Sequence, residues 1–427
     1  MTDIKNNMTA NKMYERSISL PRGTLDLTYQ TNFSGDSKNY ELEDLLGFAQ
    51  RINPKRAFLF VSKVLGRHIP VAPSTMRHAS TDLANLVPDD LPEPILVIGM
   101  AETAVGLSAG VHQALQTRYP NALLLNSTRH SQHNKDNTET LLTTFSEDHS
   151  HASQHLIYQS ADTVTQAQLL ASKTLIMVDD EASTGNTCVN VVTALRNAGL
   201  TELEQVHLTT LVDWSLNQNQ AQADVDDNIS ARLPNIDFHR HHLLSGAWQW
   251  TDATNPESIT MPSVDTTEAG SYALGDTGNW GRFPTLDSTD GFAFYLTKFQ
   301  AAFNLFNQQA QSEKASFEKE QLPQRILVLG SNEFVWLPFL LAEWLETQTQ
   351  NATVKFSALT RSPIALGGAI TTMLSFSDNY GLGMTNFAYN VEPSDWDLIV
   401  LCVETSADSV DEMWKDLDNV LVVSPTL

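Results

Sequence analysis

The sequence predicts an α/β protein in two parts: a mostly parallel sheet with helices on its faces, then a second, Rossmann-like α/β unit. Three observations lead there. Short apolar runs alternate with helical patterns through residues 57–211, the alternation restarts at residue 324 after a polar stretch, and small-residue turns follow several of the runs. Strands that feed helices in this way need crossover connections, and these give parallel sheets with covered faces.

In the first unit the expected strands are 57–61, 95–98, 122–125, 156–158, 174–178 and 206–211, with helices over 105–116 and 186–198. The stretch ELEDLLGFAQRI before the first strand reads as helical. Residues 215–322 are the least regular. They hold NQNQAQADVDDN, the cluster His239-Arg240-His241-His242, and a Gly/Thr/Asp-rich stretch over 255–290. A long helical pattern over 292–320 follows, with Phe294, Phe299, Phe303 and Phe306 on a stripe of the kind that usually faces a core. The second unit has strands at 326–329, 354–359, 398–403 and 420–423, a helix over 334–346, and a tight loop, Gly330-Ser331-Asn332-Glu333. The expected division is a tail at 1–19, a first domain at 20–240, an insert and connector at 241–322, and a second domain at 323–427. The last has a complete strand–helix pattern, so it is expected to fold by itself.

Composition narrows the function classes. With 41% hydrophobic and 18% charged residues in 427, the chain can bury two or three cores. A net charge of −24 argues against nucleic acid and anionic membranes, which bind through excess Lys and Arg. No apolar run approaches the ~20 residues of a membrane span. The N-terminus, MTDIKNNMTANKMYERS, lacks the apolar segment of a signal peptide. Cys188 and Cys402 fall in different expected domains, so the reading is a reduced, cytoplasmic protein without a disulfide framework. Cys188 is expected to pack rather than react.

Residues 175–187, LIMVDDEASTGNT, are the most informative. An apolar strand ends in Asp179 and Asp180, and a small-residue turn then opens a helix. Ligands of α/β sheets sit at the carboxyl ends of strands, and the N–H groups at a helix start hold anions. Two carboxylates beside that anion seat suit vicinal hydroxyls, so the ligand expected here is a ribose 5-phosphate. The plain alternative is an ordinary strand-to-helix turn with polar surface residues.

This segment resembles the phosphoribosyl-pyrophosphate (PRPP) loop of the type I phosphoribosyltransferases, and VDD before STG-x-T is most similar to the orotate branch. Glu181 departs from the pattern, in which an apolar residue follows the acid pair. The stretches FVSKVLGRHIP (60–70), NSTRH (126–130) and EDHSHASQH (147–155) resemble orotate-phosphoribosyltransferase-like proteins encoded in bacterial tellurite-resistance gene neighbourhoods. In those proteins a second domain, named for a Thr-Arg-Ser-Pro signature, follows the transferase, and Thr360-Arg361-Ser362-Pro363 stands in the matching place.

The resemblance implies a type I phosphoribosyltransferase fold with a small hood, supplied by the segment before the first strand. It assigns the ribose hydroxyls to Asp179 and Asp180, and the 5-phosphate to Ser183, Thr184, Gly185, Asn186 and Thr187. Gly99-Met100-Ala101-Glu102-Thr103 becomes the pyrophosphate loop, with Ala101, Glu102 and Thr103 as contacts and Lys63 as a second contact. Gly99 is expected there for an unusual backbone conformation.

The polar stretch 127–153 becomes a lid, with Arg129 and Lys135 as its cations. Arg129 is the better fit, because a guanidinium can engage two phosphate oxygens. His149 and His151 stand at the lid's end as acceptor or acid/base residues. With Glu147, Asp148 and His155 they would also suit a divalent cation, although histidines on a solvated loop are commoner than ligands. His239, His241 and His242 share that ambiguity.

The implied cofactor is Mg²⁺ carried by PRPP and held by no direct protein ligand. The implied partners are PRPP or pyrophosphate and a nucleobase-like acceptor, and a homodimer is compatible with this reading. A PRPP-binding regulator without catalysis, and a bifunctional enzyme, are the alternatives. In the second domain Asn332, Glu333, Thr360, Arg361 and Ser362 form the candidate site. It is expected to be separate from the first, so that Arg361→Ala would spare PRPP binding.

Overall fold

The computed structural model describes residues 12–31, 40–51, 56–130, 140–146, 154–216, 229–263, 277–313, 323–349 and 351–426. Its main sheet has seven strands. They are β1 (Met13–Leu20), β2 (Gly23–Thr31), β5 (Ile95–Gly99), β6 (Leu123–Asn126), β9 (Thr174–Ala182), β10 (Gln205–Asp213) and β11 (Asp237–Asp252). Their spatial order is β1-β2-β11-β10-β9-β5-β6. The five strands from β11 to β6 run parallel, and the β1–β2 hairpin adds antiparallel to the outer side of β11. β5, with the sequence ILVIG, is buried along its whole length, as a strand covered on both faces must be. The helices α2 (Pro73–Asn85), α3 (Val105–Leu115), α4 (Thr163–Leu170) and α5 (Asn186–Asn197) belong to the same unit.

Several expectations change here. The first expected strand is β4 (Phe58–Ser62). It lies outside the main sheet, paired antiparallel with β3 (Leu46–Gln50). The expected helix over ELEDLLGFAQRI is only α1 (Leu42–Leu45), and the chain then enters β3. The strand at 156–158 is β8 (Gln154–Tyr158), paired antiparallel with β7 (Leu141–Ser146) in a separate two-stranded sheet. β1 begins inside the expected tail, and β11 crosses the expected boundary at 240 into the insert. The first 22 residues of the long helical pattern form a helix, α6 (Phe292–Glu313), but Phe294 is 42% exposed while Phe299 is buried.

The second sheet has the order β13-β12-β16-β17 and is all parallel, from β12 (Arg325–Gly330), β13 (Thr353–Ala358), β16 (Leu398–Cys402) and β17 (Val420–Val423). A hairpin, β14 (Met373–Ser377) with β15 (Thr385–Tyr389), and the helix α7 (Trp336–Gln348) complete it.

The two units share one apolar core, which runs from Leu25, Val97 and Ile176 to Ile326, Val328, Phe334 and Trp336. Residues 66–71 stitch the first unit to β13 through backbone bonds between Val71 and Phe356 and between Ala358 N–H and Gly66 O. Asn390 Nδ2 adds a bond to His68 O at 2.8 Å. Arg77 on α2 engages both oxygens of Glu343 on α7 at 2.8 Å, and it lies over the rings of Trp336 and Phe339. The second unit is therefore not a separate body on a linker. Among the described residues no helix is long and apolar enough to cross a membrane.

Candidate active site

β9, β5 and β6 are neighbours in parallel register, with Gly99 opposite both Val178 and Asn126. The loops that follow the three strands therefore leave the sheet at one edge, side by side. They are the acid-pair loop, the Gly99–Thr103 loop and the root of the expected lid.

In the first loop Asp179 and Asp180 are half-buried and Ser183 and Thr184 are exposed. Gly185 adopts a left-handed conformation, φ 73°, at the start of α5, where a Cβ would come within 2.7 Å of Ile229. Only glycine allows the chain to turn into the helix there. Gly185 has no side chain to cap α5; among its first amides, Asn186 N–H makes a long 3.4 Å bond to Thr184 Oγ1, and the start of the helix faces the loop as an anion seat would. Asp180 has its pKa pushed up to about 6, first by burial and then by the neighbouring Glu181 carboxylate.

Two arginines that the sequence reading did not single out join this loop. Arg240, on β11, donates to Ser183 O at 3.3 Å and to both oxygens of Asp213. Arg232 donates to Asn186 Oδ1. The signal for Arg240 was its place in the His-Arg-His-His cluster. Two histidines of that cluster, His239 and His241, stack on His207 across β10 and β11, with His207 Nδ1 and His241 Nε2 2.8 Å apart, and His242 Nδ1 lies 3.8 Å from Asp213.

Glu181, the residue that breaks the family pattern, is gripped by both nitrogens of the Arg56 fork at 2.7 and 3.0 Å and by the Trp214 indole at 3.1 Å. Arg56 in turn lies over Phe58 and Phe60, and Phe60 stacks on Trp214 at 4.4 Å. A charged group framed by aromatic rings thus stands directly beside the acid pair.

In the second loop the peptide bond between Ala101 and Glu102 is cis. Ala101 N–H donates to Ser127 Oγ at 3.0 Å, and Ser127 N–H to Gly99 O at 3.0 Å, so this loop and the lid root are bonded together. Ser127 Oγ also meets His155 Nδ1 at 3.0 Å, and the other ring nitrogen of His155 lies 3.4 Å from Arg129 Nη2. Gly99 is there for close packing rather than for an unusual φ, because a Cβ would fall 2.1 Å from Ser108 Oγ and 2.4 Å from Asn126 Oδ1. Thr103 is half-buried at the end of this loop. Lys63 donates instead to Glu43 O on α1, at 2.9 Å. Lys135, His149 and His151, with the proposed ligands Glu147 and Asp148, lie outside the described residues. Among the described residues no cluster of His, Cys, Asp and Glu is built to hold a metal. Cys188, with its thiol pushed up to about 12 by burial, has the packing role expected of it.

The second-domain residues reach this same edge rather than forming a separate site. Arg361 Nε and Nη2 both donate to Glu102 Oε1, at 3.0 and 2.8 Å. The other oxygen of Glu102 pairs with Arg67, whose second nitrogen donates to the carbonyl of Asn332. Burial works to raise the Glu102 pKa, but Arg361, Arg67 and Arg129 outweigh it and hold the carboxyl well below the usual range. Glu333 accepts the Thr128 hydroxyl on one oxygen and Arg129 N–H, at 2.8 Å, on the other. Thr360 and Ser362 shape the turn that presents Arg361: Ser362 N–H donates to Thr360 Oγ1, and Thr360 exchanges backbone bonds with Phe387. The expectation of two independent sites fails because Arg361 and Glu333 point into the first domain.

Residues 45–246 match the family described as phosphoribosyl transferase, and residues 298–420 match the TRSP domain that lies C-terminal to it. The chain carries a phosphoribosyltransferase domain followed by a TRSP domain. The family match runs into β11, past the expected boundary at 240, and the TRSP match takes in most of α6. Similar solved structures of this phosphoribosyltransferase are adenine phosphoribosyltransferases. That of Trypanosoma brucei, in complex with AMP, pyrophosphate and ribose-5-phosphate, is 12% identical and covers 47% of this chain and 76% of its own, with a TM-score of 0.31. That of Leishmania tarentolae is 13% identical, with coverages of 48% and 85% and a TM-score of 0.32. That of Rhodothermus marinus is 14% identical, with 46% and 93% and a TM-score of 0.28. A comparison with curated proteins returned no match. Within the phosphoribosyltransferase, the signature stretches 60–70, 126–130 and 360–363 all meet at the seam between the two domains.

Proposed function

We propose that this phosphoribosyltransferase binds PRPP with Mg²⁺ across the three loops and moves the phosphoribosyl group between pyrophosphate and a nucleobase-like acceptor, in synthesis or phosphorolysis. The observation that carries the reading is the juxtaposition itself. A carboxylate pair, a helix start opened by Gly185, and a second loop bonded to the root of an arginine-bearing segment leave neighbouring strands at one sheet edge. In the synthetic direction the bond from the anomeric carbon to an acceptor nitrogen forms as the bond to pyrophosphate breaks. The acceptor gives up its N–H proton, and pyrophosphate leaves.

Asp179 and Asp180 accept the ribose hydroxyls, and the amides at the start of α5 hold the 5-phosphate. The loop containing Ala101, Glu102 and Thr103 orients the pyrophosphate, and Arg129 meets its charge. The metal is assigned to no side chain of the protein; PRPP's own diphosphate and ribose oxygens are hard donors of the kind Mg²⁺ takes. Mg²⁺ bound with PRPP would offset the diphosphate charge in a strongly acidic protein. Glu181, framed by Arg56 and Trp214, supplies a polar wall on the acceptor side. The expected product is a nucleotide-like metabolite, tied by resemblance to tellurite-resistance gene clusters.

The test is a thermal-shift and turnover panel with PRPP, Mg²⁺ and a set of nucleobases, run on the wild type and on Asp179→Asn/Asp180→Asn. A ligand that binds only the folded state raises its apparent stability. PRPP is expected to stabilise the wild type and to lose most of that effect in the double variant. An equal shift in both would overturn the ribose assignment, and binding without turnover of any base would favour a regulator.

A further inference from the structure

We infer that the second domain completes the phosphoribosyl site, with Arg361 and Glu333 as positioning residues for the pyrophosphate loop and the lid root. This rests on the proposed reading of those two loops as the pyrophosphate subsite.

Each grip falls where a loop would otherwise be free to shift. Glu102 follows Ala101, whose amide is already spent on Ser127 Oγ. The Arg361 fork therefore holds the loop one residue beyond its Ala101–Ser127 tie to the lid root. Arg67 takes the other oxygen of Glu102 and is itself tied to Asn332 O, so second-domain groups stand behind both carboxylate oxygens. Glu333 is 1% exposed and spends its two oxygens on two successive residues of the lid root, the Thr128 hydroxyl and the Arg129 amide. Arg129 is the residue expected to meet the departing pyrophosphate. Its backbone is thus held by one domain while its side chain serves the other.

The chemistry fits bracing better than joining. An interface that only needs to adhere is already provided by the shared core, by the strand-like bonds of residues 66–71 to β13, and by Arg77 with Glu343. Buried, hydrogen-bonded charge pairs add little net stability beyond apolar packing, but they fix geometry. Here they converge on the two loops whose placement governs the leaving group. The three guanidiniums of Arg67, Arg361 and Arg129 against the two carboxylates of Glu102 and Glu333 also leave positive charge beside the loop, as suits a pyrophosphate neighbour. A change in the second domain, such as a ligand drawing Arg361 or Glu333 away, would alter the first site by the same amount that the first site alters it.

The experiment uses the full-length protein. Binding of inorganic pyrophosphate with Mg²⁺ is measured by calorimetry, turnover is measured with PRPP, and amide hydrogen exchange is followed at residues 99–104 and 127–130. Arg361→Ala is expected to weaken pyrophosphate binding on the order of ten- to a hundredfold, the cost of a misplaced binding loop. It should also speed exchange in 99–104 while the cores of both sheets stay protected. Arg361→Lys, which keeps the charge and loses the fork, should fall between, and it serves if the alanine variant does not fold. Glu333→Ala should speed exchange in 127–130 and lower kcat more than it raises KM. Glu333→Gln keeps an acceptor for the Arg129 amide and should recover most of that loss.

Wild-type pyrophosphate affinity and wild-type exchange in Arg361→Ala would overturn the inference. Exchange rising evenly through both domains would overturn it as well, since the pairs would then only join them. A wild type that binds neither PRPP nor pyrophosphate would remove the transfer reading instead, and the brace would stand or fall on the exchange pattern alone.

Discussion

Arg361 and Glu102 are 259 residues apart in the chain, and the guanidinium of one rests its Nε and Nη2 on a single carboxylate oxygen of the other, at 3.0 and 2.8 Å. The first belongs to the Thr-Arg-Ser-Pro signature of the second domain and the second to the loop after β5. Their contact makes the signature part of the transferase edge.

PRPP binding is expected to depend on pH through Asp180. Its pKa stands near 6, raised by burial and then by Glu181. Protonation removes the charge that accepts ribose hydroxyls, so affinity should weaken as pH falls from about 7 through 6. Glu181→Gln removes one of the two causes and should move the midpoint downward, without restoring the ordinary value near 4 because burial remains. Calorimetric titration of PRPP and Mg²⁺ from pH 5 to 8 measures both curves, and coincident midpoints would contradict the coupling.

Arg129→Ala is expected to reduce turnover on the order of a hundredfold with a much smaller change in PRPP affinity, as for a group that meets charge developing on the leaving pyrophosphate. Equal losses in kcat/KM and in PRPP affinity, with kcat unchanged, would make it a ground-state phosphate contact.

The shared core should make the two domains unfold together. Trp336 is fully buried, lies under Arg77 of the first domain and sits in the apolar cluster that joins both sheets. Trp336→Ala should cost about 3–5 kcal/mol, and calorimetry should show one transition shifted as a whole. A fragment beginning near residue 318 would expose its half of that core and should not unfold cooperatively. Two transitions in the intact protein, with only the second moved by Trp336→Ala, would restore the picture of independent domains.

The histidine stack should make the fold acid-sensitive. His207 is lowered to about 3 and His241 to about 4, by burial first and then by their histidine neighbours. The unfolded chain takes up these protons near pH 6.5 while the folded chain does not, so the unfolded state binds more protons across that window. Stability is therefore full above about 6.5 and declines as pH falls toward the folded values, at about 1.4 kcal/mol per pH unit for His207. His207→Gln should flatten the fall in unfolding midpoint between pH 6.5 and 4.5, and an unchanged slope would remove the stack as its source.

The sequence by itself determined the β5–α3–β6 and β9–α5–β10 succession and the loops between. A parallel strand buried on both faces is a continuous apolar run, and the residues that end it are its immediate neighbours in the chain. The acid pair, the Gly185 turn and the family follow from such local patterns. Pairing is not local, and so β4 and β8 read as members of the main sheet although each pairs in a small antiparallel sheet of its own. β11 was illegible for the opposite reason. It pairs with the main sheet but carries histidines and an arginine, because its side chains stack on His207 of β10 or reach the acid-pair loop.

Only the tertiary structure decided that Arg240 and Arg232 serve the acid-pair loop, that Arg56 and Trp214 hold Glu181, and that Arg361 and Glu333 brace the transferase. Each of these side chains lies between 33 and 259 residues from its partner. A charge in a sequence does not say which opposite charge it will meet. That is set by how the sheets pack, and here one common core brings the carboxyl edges of two sheets face to face.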